Sequence, residues 1–201
     1  MERIAKIISY CFQPLIMPSL GLLIFFNSNS YINFAIPKEL KDAALTLVAM
    51  STFVVPVIIT LLLLNRGYIS SLEMPTRKER ILPYGFTIAF YFFTIYMLKQ
   101  APIPPLVFDF MIGGVASVIC AFIINLKWKV SAHMTGIGGL LGALISTSIL
   151  LEVDLISYVI LSIFVSGLIA SSRLILNAHT PLQLIAGFFL GFGCQVIAIY
   201  F

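Results

Sequence analysis

The chain reads as long apolar runs separated by short polar ones. Cut at about 20 residues, the helical length that crosses a bilayer core, it gives seven segments: Ile7–Asn27, Asp42–Leu64, Ile81–Leu98, Pro104–Leu126, His133–Leu151, Asp154–Ser171 and Pro181–Phe201. The breaks NSNSYINFAIPKELKD, KQAPIPP and LEVD supply turn formers or charges. Gln13, Pro14 and Pro18 interrupt the first segment and would kink it or make it re-entrant. The pattern therefore predicts an all-α polytopic transmembrane helical bundle of six or seven spans. No linker, low-complexity tract or long internal repeat divides residues 1–201, so a single transmembrane domain is expected.

Composition agrees with the pattern. The residues are 60% hydrophobic and 10% charged, with a mean hydropathy of +1.07, against roughly 45–50% apolar and about 25% charged in soluble domains. The basic start MERIAK is not followed by a small-residue cleavage site, so the first segment is expected to be retained. Cys11, Cys120 and Cys194 sit in apolar runs without CxxC spacing or a neighbouring histidine, and are expected to be packing residues.

The polar clusters change the picture. RGYISSLEMPTRKER follows the second segment, LKWKVSAH the fourth and SSRLILNAH the sixth. An even number of spans separates each from the next, so all three fall on one membrane face, whether or not the first segment crosses. Arg77, Lys78, Arg80, His133, Arg173 and His179 then share a layer, a natural site for an anion such as phosphate at headgroup depth. Arg66, Lys127 and Lys129 read instead as interfacial anchors. Counting the first segment as a span, nine of the twelve lysines and arginines lie on this face, which favours a cytoplasmic site. Setting aside the four that phosphate would require leaves too small a bias to decide sidedness.

His133 and His179 are the only histidines, and each stands at the mouth of an apolar segment. Singly, either reads as an interfacial residue. Paired and flanked by arginines, they suit phosphoryl chemistry, in which one imidazole attacks phosphorus and the other protonates the leaving oxygen. The guanidinium groups would stabilise charge on the equatorial oxygens. The carboxylates form no DxxxD or HxxEH pattern, so neither a metal nor another cofactor is expected.

These residues carry a resemblance. SRLILNAHTPLQ, Ser172 to Gln183, resembles the third signature of the type-2 phosphatidic acid phosphatase family, SR-x5-H-x3-D, matching it except at Gln183, where the family has aspartate. SAH, Ser131 to His133, is similar to the family's PSGH, and RKERILP, Arg77 to Pro83, loosely matches its K-x6-RP with Arg80 as the arginine. Arg77 or Lys78 would have to stand for the lysine. Members usually have six helices with the first two signatures in one inter-helix region, whereas here the hairpin Ile81 to Leu126 intervenes.

The resemblance implies a metal-independent membrane lipid-phosphate phosphatase working through a phosphohistidine, placed in bacteria in the inner membrane. His179 would be the nucleophile and His133 the general acid, with Arg80, Arg173 and Ser131 holding the phosphate. Its partners would be membrane lipids and a phosphorylated lipid or isoprenyl phosphate substrate, not nucleic acid. Gln183 puts the orienting carboxylate in doubt, and Glu79 is an alternative source of one.

Locally, Thr180–Pro181–Leu182–Gln183 fits a capping box, with Gln183 at the third helical position. Gln183, Gly187 and Gly191 share a helix face, and the glycines form GxxxG, which admits a close neighbour helix. Two other readings stay open: a lipid-phosphate binding or translocating protein on a decayed phosphatase scaffold, and a structural membrane subunit whose histidines cap helices.

Overall fold

The computed structural model describes residues 1–201. Ten α-helices follow one another without a strand: α1 (Glu2–Cys11), α2 (Met17–Asn27), α3 (Tyr31–Ala35), α4 (Lys38–Ala49), α5 (Val55–Asn65), α6 (Ile81–Leu98), α7 (Pro105–Lys127), α8 (Ala132–Leu151), α9 (Ile156–Ile175) and α10 (Pro181–Tyr200). They make seven helical stretches long and apolar enough to cross a membrane. The protein is an all-α polytopic bundle.

The first stretch, Glu2–Asn27, is broken, not continuous. Pro14 disfavours the helical conformation for the residue before it, and Gln13 is accordingly extended at φ −64° and ψ 137°. α1 and α2 thus meet at a joint. α4 and α5 run on through a π-turn at Met50–Val54, just ahead of Pro56, whose missing N–H interrupts the regular ladder.

Two boundaries differ from expectation in ways that matter for the site. Asp154 lies before the sixth span, where Oδ1 accepts from the Ile156 N–H at 3.0 Å, and the helix continues past Ser171 to Ile175. Arg173 therefore projects from a rigid last turn and not from a loop. The 3-10 turn Lys78–Arg80 leads straight into α6, which likewise fixes Arg80. Of the cysteines, Cys11 is exposed where packing was expected, while Cys120 and Cys194 are half-buried.

α8 is the central helix, with 67% of its apolar window buried against 39% or less in every other span. It packs most extensively on α10. A β-carbon at Gly187 would come 2.7 Å from the Ser131 carbonyl oxygen, and one at Gly191 would collide with the Thr135 carbonyl. Only glycine lets the two backbones approach this closely. The Ser131 N–H donates to the Gln183 carbonyl at 3.3 Å, so the N-terminal ends of α8 and α10 lie side by side at one face.

Candidate functional site

Those two helix starts, the last turn of α9 and the first turn of α6 converge on the mouth of one cavity of about 280 Å³. Arg80, His133, Arg173 and His179 all line it. The helix N-termini add partial positive charge to the two guanidinium groups.

Neither arginine has an acidic partner. Arg80 is 7% exposed and donates from Nε to the Met74 carbonyl at 3.0 Å and from Nη1 to the Val130 carbonyl at 3.2 Å. Arg173 is 4% exposed, donates from Nη1 to Ser9 Oγ at 3.3 Å, and leaves its Nε–H buried without an acceptor. The molecule's single ion pair, Lys38 with Asp42, lies elsewhere on an exposed turn of α4. Glu73 also lines the cavity but forms no ion pair with either arginine, and two buried cations with unused donors cost stability unless an anion completes them.

The histidines are held by carbonyl-type oxygens. Gln183 Oε1 stands 3.1 Å from His179 Nδ1 and also accepts from the Thr180 N–H at 3.3 Å, while the Gln183 N–H donates to Thr180 Oγ1 at 3.4 Å. The capping box identifies the amide atom as oxygen, because a backbone N–H only donates. His179 Nδ1 therefore carries the proton and Nε2 keeps its lone pair. Burial, and then the charge of Arg80, push His179 down to about 3, so the free imidazole is neutral at physiological pH. His133 Nε2 lies 3.1 Å from the Ser9 carbonyl, which fixes its proton on Nε2 by the same reasoning.

Other expected site residues are placed elsewhere. Ser131 is fully buried; its hydroxyl accepts from the Met134 N–H at 3.4 Å as the N-cap of α8 and does not line the cavity. Arg77 turns away, with Nη1 on the Leu126 carbonyl at 3.2 Å and on the Lys127 carbonyl, holding the C-terminal end of α7. Lys78 is exposed and outside the cavity. Glu79 is spent on the Ser70 N–H and hydroxyl and on the Thr76 hydroxyl, at 2.8, 2.8 and 2.6 Å, so it does not orient His179.

The structure adds residues that the sequence did not single out. Lys129, read as an anchor, is half-buried but does not line the cavity; burial followed by the charges of Arg80 and Arg173 lowers its pKa. From α1, Lys6, Ser9 and Tyr10 reach the cavity. Their spacing, Lys6 to Tyr10 one turn apart, was the available signal. The histidines gather with guanidinium groups, and no three His, Cys, Asp or Glu side chains come together. Comparison of the chain with family models, with characterised proteins and with solved structures finds no match.

Proposed function

We propose that this membrane protein is a phosphatase of phosphorylated lipids, of the type-2 phosphatidic acid phosphatase kind, that acts through a phosphohistidine. One observation carries the reading: two buried arginines without carboxylate partners, with unused donors, open into the same cavity as both histidines. Such a set matches the dispersed negative charge of a phosphoryl group.

In the proposed reaction the His179 Nε2 lone pair attacks phosphorus while Arg80 and Arg173 hold the equatorial oxygens. The bond from phosphorus to the lipid oxygen breaks, and that oxygen takes the Nε2 proton of His133 in its imidazolium form, leaving a neutral ring protonated on Nδ1. Water then attacks the phosphohistidine and gives its proton to His133 Nε2, releasing phosphate and restoring both histidines. His133 must first exchange the Ser9 carbonyl for the leaving oxygen, since the carbonyl now occupies its donor.

Gln183 favours a second reading. An amide orients His179 but cannot offset a developing imidazolium, and replacing the orienting aspartate by its amide in the serine protease triad lowers turnover about 10⁴-fold. A lipid-phosphate binding or translocating protein would keep the cationic layer without needing the chemistry. Purified protein in detergent, assayed without added metal on phosphatidate, phosphatidylglycerol phosphate and isoprenyl phosphates, separates the two. Phosphate release abolished in His179→Ala supports the enzyme. Binding without release in the wild type supports the second reading.

A further inference from the structure

The cavity does not end at the cationic layer. It continues between α6, α7 and α8 to Tyr91, Gly114 and Gln195. Gln195 stands twelve residues after Gln183 on α10, which places it about 18 Å farther along the helix axis at 1.5 Å per residue. That depth is a little over half of the roughly 30 Å hydrocarbon thickness. A side chain at Gly114 would meet the Tyr91 ring at 3.0 Å and the Gln195 amide at 3.9 Å, so these three groups stand together at the inner end.

The walls between the two ends suit hydrocarbon better than water. Met17, Leu61, Met111, Val118 and Leu140 supply apolar surface. Three of the hydroxyls among them are already spent on carbonyls of their own helices: Thr60 on Pro56 at 2.8 Å, Thr87 on Pro83 at 2.8 Å and Ser117 on Gly113 at 2.8 Å. Apart from Arg173, two lining residues hold a buried polar atom without a partner: Tyr84, in the first turn of α6, at its hydroxyl, and Gln195 at the inner end. Gln195 is 3% exposed, its Nε2 donates to the Phe110 carbonyl at 3.0 Å, and its Oε1 has no partner.

We infer that this chamber takes one hydrocarbon chain of a phosphorylated lipid and that Gln195 sets the length of chain it accepts. The inference rests on the phosphate reading of the cationic layer, which anchors the head and so turns depth into chain length. A methylene that reaches the walls is removed from water. One that reaches Gln195 meets an amide that offers no apolar surface, and the gain from burial ends there.

The test uses full-length protein in nanodiscs and n-alkyl monophosphates of graded length, with binding compared among wild type, Gln195→Leu and Thr87→Phe. Partition into the disc is common to all three and cancels in their ratios. In the wild type each added methylene should strengthen binding up to about fourfold, until the chain meets Gln195 and the gain stops or reverses. Gln195→Leu should extend the gain to longer chains by at least tenfold in affinity there. Thr87→Phe, placed midway along α6, should shift the limit to shorter chains, while both variants keep wild-type affinity for the shortest phosphates, which also reports intact folding. Short-chain binding with one length profile shared by all three proteins overturns the chamber and leaves the phosphate site standing. No binding at any length overturns the phosphate reading and the chamber with it.

Discussion

Gln183 Oε1 stands 3.1 Å from His179 Nδ1 and 3.3 Å from the Thr180 N–H, so one amide oxygen both orients an imidazole and closes a helix cap. The sequence motif that suggests a catalytic histidine and the motif that starts α10 thus overlap, sharing Thr180 to Gln183. An aspartate at this position would add charge to the orientation. The amide supplies geometry alone.

Gln183→Asp should therefore raise turnover if the protein is a slow phosphatase, because a carboxylate stabilises the imidazolium that forms as His179 acts. The His179 titration should move up from about 3 at the same time. Nitrogen NMR of labelled histidine reads the titration, and single-turnover phosphate release, with His179→Ala as background, reads the rate. A raised pKa with unchanged release would count against catalysis at His179. The first turn of α10 still tolerates aspartate, whose charge complements the helix dipole.

Arg173→Ala should weaken binding of an alkyl phosphate by about tenfold or more, since a charge-assisted hydrogen bond contributes about 1.5–3 kcal/mol. Lys127→Ala should change it by less than threefold, because that side chain is exposed and outside the cavity. Equal losses at the two positions would show that general surface charge attracts the ligand. Arg173→Lys should recover part of the binding, the point charge lacking the planar fork.

Span parity in the sequence set the histidines and the paired arginines on one face, and Thr-Pro-x-Gln with GxxxG supplied the start and the packing face of α10. What parity could not supply was rotation about each helix axis and the path of short segments. Arg77 and Arg80 are three residues apart, yet one holds α7 and the other enters the cavity. Beyond the one-turn spacing of Lys6 and Tyr10, the role of α1 was not legible, because it depends on the joint at Gln13–Pro14 and on a backbone carbonyl, Ser9, that carries no side-chain signature.

Gly191→Ala should lower thermal stability by about 1–3 kcal/mol, the range for overpacking a tight contact, since its β-carbon meets the Thr135 carbonyl. Gly193→Ala, two residues on with open space around it, should be neutral or gain about 0.5–1 kcal/mol from helix propensity. Unfolding followed by tryptophan fluorescence or circular dichroism in one detergent compares the pair. Equal effects would mean that α8 and α10 do not pack through this glycine.

The depressed pKa of His179 makes stability depend on pH in a definite direction. The folded state resists protonation down to about 3, whereas the unfolded chain protonates its histidine near 6.5. Between those values the unfolded state binds more protons, so stability falls as pH is lowered through 6.5 and the loss is complete near 3. At 1.36 kcal/mol per pH unit, moving from pH 7 to pH 5 should cost about 2 kcal/mol from this residue. A His179→Asn variant, which cannot titrate, should lose less stability over the same interval by that amount. Inorganic phosphate should reduce the wild-type loss, because a bound anion beside Arg80 and Arg173 favours the imidazolium and raises the folded pKa. Denaturant unfolding of both proteins at the two pH values, with and without phosphate, measures the difference. Parallel pH dependence in wild type and variant would mean that His179 titrates normally and that the arginines do not act on it.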